Sequence, residues 1–114
     1  DFRFATGYVF RGESHPFWEM VYVGDGAVDI GADERKIMLT QGDVIFHKPG
    51  EFHSIWANYA HAPSIVVITF ACDSPGMRFF ENRTMRVLPQ HRAIVQAILR
   101  ARRSAARWIR AKKL

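Results

Sequence analysis

The sequence has one cysteine and no long hydrophobic run. Cys72 has no second cysteine with which to form a disulfide within the chain, and its place in an apolar run predicts a buried, unreactive thiol. That run, SIVVITFAC at residues 64–72, falls far short of the roughly 20 residues that span a bilayer, and no positively charged leader precedes an apolar segment. We therefore expect a cytoplasmic protein with no membrane partner.

Acidic residues are absent from the last part of the sequence. Residues 1–88 contain all 11 Asp and Glu and 8 of the 16 Lys and Arg, whereas residues 89–114 contain the other 8 basic residues and no acid. The acidic body is poorly suited to hold a phosphate backbone. The basic end fits either direct phosphate contact or the solvated face of a packed helix, and we favour the helix.

Length and composition predict one mainly β domain. The 114 residues suffice for a single core, and a first residue other than Met indicates a piece of a longer protein. From Phe2 to about Phe70, short runs rich in β-branched and aromatic residues alternate with turn signals. GDG at residues 24–26 predicts a hairpin, and GADERK at 31–36 predicts a longer polar turn. Seven to nine short strands of this kind predict a sandwich or barrel in residues 1–72.

The pattern changes after residue 72. Ser74-Pro75-Gly76 begins a connector, residues 73–88, in which a short helical turn is expected at residues 77–81. After Pro89 the apolar residues recur at helical spacing, which predicts one or two carboxy-terminal helices in residues 89–114. The apolar positions are Leu88, Ile94, Val95, Ile98 and Leu99 in the first helix, and Ala105, Trp108 and Ile109 in a second helix that Ser104 caps.

Two short stretches combine histidines and carboxylates with turn residues. They are GDVIFHKPGEFH, residues 42–53, and ESHPFWE, residues 13–19. They resemble the two motifs of the cupin superfamily, small β-barrels in which both motifs build the ligand site. The second motif is the better match, although Lys48 stands where a proline is usual, and in the first motif Glu13 stands where the first histidine would be. The resemblance implies a cupin-type double-stranded β-helix barrel, which is jelly-roll-like.

The cupin resemblance nominates four residues for one site. In metal-binding cupins these positions converge on one ion, and two imidazoles with two carboxylates suit divalent Zn, Mn, Fe or Ni. The same groups are able to hydrogen-bond a polar ligand without a metal, or to stay paired in a core. We expect a ligand pocket that needs no cofactor, with a divalent metal as the alternative. The four residues are Glu13, His15, Glu19 and His53.

Strand alternation extends the expected pocket lining. If His53 points inward, Ile55 does too, because every second residue of a strand shares a face. Phe46 and His47 lie on opposite faces of their strand, so only one of them sees the pocket, and we assign Phe46 to it. The expected ligand-binding residues are therefore Glu13, His15, Glu19, Phe46, His53 and Ile55.

A longer resemblance covers roughly residues 8–100. WEMVYV, GDVIFHKPGEFH and FACDSPGMRFFENR, in this order, are similar to the amino-terminal half of AraC/XylS-type bacterial transcription regulators. The resemblance implies a barrel that binds a small-molecule effector and helices that form a homodimer. It also implies DNA binding through a separate pair of helix-turn-helix motifs, which 114 residues are too few to include. On this interpretation the chain is not an enzyme.

Two other functions stay open. A small metal-dependent cupin enzyme, an isomerase or a dioxygenase, would hold an ion with the four nominated residues and leave a position open for substrate. A free-standing cupin that binds a sugar or another metabolite would need no DNA-binding half. Metal content and the rest of the gene separate these functions from that of a regulator.

Overall fold

The computed structural model of the chain describes residues 2–3, 8–57, 59, 62–91, 93–94, 97 and 110–111. Two 3-10 helices, Pro75–Phe80 and Pro89–His91, follow the eighth and ninth strands. The strands are β1 (Phe2–Arg3), β2 (Tyr8–Glu13), β3 (Trp18–Asp25), β4 (Ala27–Ala32), β5 (Arg35–Thr40), β6 (Asp43–His47), β7 (His53–Ala57), β8 (Ser64–Phe70), β9 (Thr84–Arg86) and β10 (Arg110–Ala111).

The strands form two antiparallel sheets. The first sheet has the order β1-β8-β3-β6-β9, and β10 also pairs with β8. β1 pairs with the beginning of β8 and β10 with its end, as the partners Phe2↔Ile65 and Arg110↔Thr69 show. The second sheet has the order β2-β7-β4-β5. Neighbours in sequence are therefore often in different sheets, which is how the chain wraps around a common core.

The core lies between the two sheets because their strands alternate inward and outward side chains. In β3, Val21 and Val23 are buried, whereas Met20 and Tyr22 are partly exposed. Burial of such aliphatic side chains is the main term that stabilises the fold. The predicted mainly β architecture is confirmed. The core residues are Val21, Val23, Val28, Ile30, Ala32, Leu39, Ile45, Ile55, Ala57, Ile65 and Val67.

The GDG segment is not a hairpin turn, which corrects the sequence prediction: Gly24 and Asp25 belong to β3, and only Gly26 lies between β3 and β4. Gly26 has a φ of 78°, yet β3 belongs to the first sheet and β4 to the second. Val23 and Val28 enter the core from the two sheets instead of lying on paired strands. The hairpin of this region is the next turn, where Ala32 pairs with Arg35 and Asp33 has a φ of 51°.

The segment after β8 is partly as expected. A 3-10 helix at Pro75–Phe80 confirms the short helical turn, and the hydroxyl of Ser74 accepts a hydrogen bond from the N–H of Gly76 at its start. The predicted burial of Cys72 is wrong: the residue is exposed because β8 already ends at Phe70. The segment 73–88 also adds β9, which pairs with β6 in the first sheet.

The predicted carboxy-terminal helices fall mostly outside the described residues. Ala93, Ile94 and Ala97 are helical, while the second helix that Ser104 was expected to cap lies among residues that the structure does not describe. Arg110–Ala111 is a short strand on β8. Among the described helices, none is long and apolar enough to cross a membrane.

The core predicts a clear stability effect for Ile30, which is 1% exposed. Replacing Ile30 by Ala removes buried methyl groups and leaves a cavity, so the free energy of unfolding should fall by about 2–5 kcal/mol. Urea denaturation followed by circular dichroism measures this. Met38→Ala is the matched control, because Met38 lies on the adjacent strand and is 54% exposed; its effect should stay within about 0.5 kcal/mol. Equal losses in both variants would contradict this packing.

Candidate functional site

Four side chains from both sheets meet at one end of the barrel. They come from the end of β2, the following loop, the beginning of β3 and the beginning of β7. One ligand atom of each lies within 4.8 Å of the others. We call this group the acid–histidine cluster. Its members are Glu13, His15, Glu19 and His53.

A β-bulge places the first member of the cluster. The register between β2 and β7 shifts between Phe10 and Glu13, so that Glu13 pairs opposite His53. Gly12 lies in this shift with a φ of 130°, and a Cβ there would overlap the ring of Phe52. Only glycine satisfies both conditions. The bulge therefore sets the Glu13 carboxylate beside the imidazole of His53.

Backbone carbonyls orient both histidines of the cluster. Nδ1 of His15 lies 2.9 Å from the carbonyl oxygen of Phe17, and Nδ1 of His53 lies 3.1 Å from that of Glu51. A carbonyl only accepts, so each Nδ1 must carry the proton and donate it. Each Nε2 is then left to face the other members of the cluster, as in histidines that bind metals.

Glu19 joins the two histidines. Its Oε1 lies 3.2 Å from Nε2 of His15, and its Oε2 lies 3.1 Å from Nε2 of His53. Oε2 of Glu13 lies 3.4 Å and 3.5 Å from the same two nitrogens. The side chain of Glu19 is 3% exposed and that of Glu13 is 29% exposed. The cluster is thus buried and opens to solvent at Glu13.

The cluster changes the proton affinity of its members. Burial raises the pKa of Glu19, but the imidazoles of His53, His47 and His15 together outweigh burial, and the pKa lies below its usual 4.5. Burial lowers the pKa of His53, but Glu19 and Glu51 together outweigh burial, and the pKa lies above its usual 6.5. Nε2 of His53 and Oε2 of Glu19 lie 3.1 Å apart, and this short contact acts together with the opposite charges to raise the pKa of His53.

The donor set fits a divalent metal ion. Two imidazoles and two carboxylates place one ligand atom each within 4.8 Å of the others, and one of these atoms, Nε2 of His53, is buried with no hydrogen-bond partner among the described residues. Imidazole nitrogen and carboxylate oxygen are the ligands that Zn, Mn, Fe and Ni share in proteins. The sequence nominated the same four residues, and the structure brings all four together.

The structure corrects the assignment of Phe46 to the pocket. Its ring lies on the outer side of β6, 4.6 Å from the ring of Phe80 and 6.3 Å from that of Phe70, measured between centroids. The inward residue is His47, which is 1% exposed and shares its face with the core residue Ile45. Two adjacent apolar residues precede Phe46 in β6, so the sequence pattern left the inward face ambiguous.

Sequence reasoning also missed the partner of His47. Nδ1 of His47 donates to Oε2 of Glu51 across 2.6 Å, and both side chains are 1% exposed. The ring of His47 stacks on that of His53, with centroids 4.4 Å apart and planes 12° from parallel. The spacing of four residues between His47 and Glu51 was the available signal, but the Pro49-Gly50 turn between them suggested a surface loop.

The space inside the barrel beside the cluster is small. The cavity has a volume of about 10 Å³, room for roughly one water molecule or one ion. Ile55 lines it, in agreement with strand alternation. The lining residues are Glu19, Val21, Ile30, His47, His53, Ser54 and Ile55.

The fold and the cluster define a cupin-type ligand-binding barrel. The model of the AraC-like ligand binding domain family matches residues 3–107, so the chain belongs to that family. No curated protein matches it significantly. The match agrees with the resemblance that the two motifs indicated.

Solved structures share the fold at low sequence identity. The TT1209 protein from Thermus thermophilus is 20% identical with a TM-score of 0.57, over 59% of this chain and 65% of that one. An RmlC-like cupin from Shewanella frigidimarina is 23% identical with a TM-score of 0.53, over 66% of this chain and 65% of the cupin. A variant of oxalate decarboxylase from Bacillus subtilis is 18% identical with a TM-score of 0.54, over 85% of this chain and 26% of the decarboxylase. The chain thus spans just under two thirds of the first of these structures.

The pKa directions predict how stability depends on pH without metal. The raised pKa of His53 stabilises the fold at low pH, and this contribution is lost as pH rises through that pKa. The lowered pKa of Glu19 stabilises the fold above its usual 4.5, and this contribution is lost as pH falls through the lowered value. The free energy of unfolding of the wild type should therefore exceed that of Glu19→Gln by the largest amount between pH 4.5 and pH 6.5, the usual pKa values of the two groups.

Urea denaturation in chelator-treated buffer at about pH 3, 5.5 and 9 measures this difference. Glu34→Gln is the control, because Glu34 is an exposed carboxylate on the β4–β5 turn. A difference between wild type and Glu19→Gln that does not vary over this range would contradict the coupling of Glu19 to His53.

Proposed function

We propose that this chain is the effector-sensing domain of an AraC-type transcription regulator of a bacterial cytoplasm, and that it is not an enzyme. The observation that carries the proposal is the family match over residues 3–107. Residues 1–72 form the sensing barrel, 73–88 the connector, and 89–114 a dimerisation and linker segment. DNA binding then belongs to a separate domain of the same protein.

The acid–histidine cluster is the proposed polar floor of the ligand site, and Ile55 contributes an apolar contact beside it. The cluster has the properties of a binding site because its ligand atoms lie within 4.8 Å of one another and the buried Nε2 of His53 has no hydrogen-bond partner among the described residues. Two carboxylates and two imidazoles in one place do not stabilise a protein core, because burying them costs free energy. Binding of a ligand that supplies positive charge offsets that cost.

A divalent cation is the occupant that this floor fits best. Glu13, His15, Glu19 and His53 would hold it, and their donor atoms face one centre. The adjacent cavity of about 10 Å³ admits an ion but no organic effector. When bound, the ion would supply a positive charge and a Lewis acid to which a carboxylate or hydroxyl group of an effector attaches.

An organic effector would then bind at the mouth of the barrel. Glu13 is the exposed edge of the cluster, and the ring of Phe52, which is 51% exposed, packs over the adjacent Gly12. Phe52 also lines an open groove of about 760 Å³. Its size suits a small metabolite. The groove is lined by Ala32, Asp33, Glu34, Arg35, Lys48, Phe52 and Asn82.

Effector binding acts on the regulator only through a difference in affinity between two arrangements of the protein. The connector is suited to transmit such a difference because its β9 strand pairs with β6, which carries His47 and ends beside the cluster. Exposed apolar side chains on the same part of the chain support a homodimer contact there. They are Phe79 at 56%, Leu88 at 45% and Ile94 at 58%.

The regulator proposal predicts a second domain encoded downstream in the same gene. Reading the parent frame past the codon for Leu114 should show about a hundred further residues, the size of one domain, with two helix-turn-helix patterns. Each pattern is a pair of helices joined by a short turn. A stop codon at or near Leu114 would overturn the proposal and favour a free-standing cupin.

The cluster predicts one high-affinity divalent ion per chain. Titration with Co²⁺, followed by its visible absorption, should show one equivalent bound at neutral pH and weaker binding as pH falls, because protons compete for the imidazoles. His53→Ala should lower the affinity at least about tenfold. His91→Ala is the matched control, since His91 is an exposed histidine in the 3-10 helix Pro89–His91. Equal binding by the two variants would contradict the assignment of His53.

A metal-dependent cupin enzyme is the second candidate, and the donor set is the observation that favours it. The same four residues would hold a catalytic ion with room for substrate at the mouth. The two candidates differ in the rest of the protein: an enzyme needs no DNA-binding half. A chain that ends near Leu114, binds one metal and turns over a small acid or sugar would be the enzyme.

A further inference from the structure

Two buried titratable residues, His47 and Glu51, lie outside the acid–histidine cluster but contact it. Their side chains form an ion pair with a distance of 2.6 Å between Nδ1 of His47 and Oε2 of Glu51. Both are about 1% exposed. Oε1 of Glu51 has no hydrogen-bond partner among the described residues.

The His47–Glu51 pair fills the core at a cost in folding free energy. Burying two ionisable groups costs free energy, and apolar residues of similar volume often give equal or greater stability. A buried carboxylate oxygen without a partner among the described residues adds to that cost. Stability therefore gives no reason for His47 and Glu51 at these positions.

Both members of the pair touch His53. The ring of His47 stacks on the ring of His53, with centroids 4.4 Å apart and an interplanar angle of 12°. The backbone carbonyl of Glu51 accepts the Nδ1–H of His53 across 3.1 Å. His47 thus covers one face of the His53 imidazole. The Glu51 carbonyl accepts a hydrogen bond from the Nδ1–H of the same ring, on the side away from the cluster.

The local sequence explains how one turn achieves this. Gly50 has a φ of 81°, and the N–H of Glu51 donates to the carbonyl of Lys48 across 3.1 Å. This tight turn brings the Glu51 side chain back over His47, four residues earlier, while its carbonyl points toward His53, two residues later. With the side chain anchored in the core by His47, the carbonyl is held in place.

We propose that His47 and Glu51 form an orienting pair that fixes the ring position and the Nδ1–H form of His53. They are positioning residues, since neither belongs to the cluster itself. Holding His53 in this form keeps Nε2 aimed at the centre shared with Glu13, His15 and Glu19. The consequence for ligand affinity rests on the proposed function of the cluster, whereas the consequence for the His53 ring does not.

The test replaces both members together, so that no buried charge is left without its partner. His47→Leu/Glu51→Leu keeps the interior filled but removes the stacked ring and the anchor of the carbonyl. At a pH where the imidazole of His53 is neutral, ¹⁵N NMR of the histidine side chains in metal-free protein should then show His53 shifted from the Nδ1–H form toward a mixture. Co²⁺ affinity should fall about 10- to 100-fold, the usual effect of losing an orienting partner.

Two matched variants separate orientation from general damage. Glu51→Gln keeps an oxygen that accepts from His47, so His53 should retain the Nδ1–H form and Co²⁺ affinity within about threefold. Arg86→Gln removes another ion pair, the exposed one with Asp43 at 3.0 Å, and should change neither readout. Unfolding free energies of all variants are compared, because a purely structural pair would alter only these.

The outcomes are distinguishable. If the double variant keeps His53 in the Nδ1–H form, the orienting role is overturned, whatever the variant does to stability. If the wild type takes up no Co²⁺ but the His53 form changes in the double variant, the metal assignment fails and the orienting pair stands. If the His53 form changes while Co²⁺ affinity stays that of the wild type, the orienting role stands and its consequence for ligand affinity is overturned.

Discussion

The contact on which this site depends is the one between the carboxylate of Glu19 and the two imidazoles of His15 and His53. Glu19 comes from the first sheet and His53 from the second. Their approach to 3.1 Å therefore depends on how the two sheets pack against each other. A buried carboxylate at 3% exposure needs compensating positive charge. His53, whose pKa is raised, supplies part of it, and a bound cation would supply it more completely.

The same arrangement limits what the proposed site is able to bind. Aliphatic side chains from both sheets pack in the core, and the cavity beside the cluster measures about 10 Å³. This cavity is too small for an organic ligand, whereas Phe52 borders an open groove near the exposed Glu13. A ligand in the groove would lie close to β6 and its partner β9, through which the connector joins the sheet.

Much of this was predictable from the sequence because the relevant signals are local. Turn glycines and alternating apolar residues predicted the strands, and the resemblance of two stretches to the cupin motifs nominated the four members of the cluster. Three features were not predictable. The GDG segment does not reveal whether the strands on either side of it pair or lie in opposite sheets. Because Val44 and Ile45 are both apolar, the sequence does not show which face of β6 points inward. The burial of Glu51 depends on how the Pro49-Gly50 turn folds back over His47.

The most direct test of a cation-binding cluster is anomalous X-ray diffraction from crystals grown with Co²⁺. The account predicts a single strong peak at the centre shared by Glu13, His15, Glu19 and His53, within bonding distance of both Nε2 atoms, which is about 2.1 Å for a metal–imidazole bond. Cobalt found only at exposed sites such as His91, with the cluster filled by water or by direct hydrogen bonds, would contradict it.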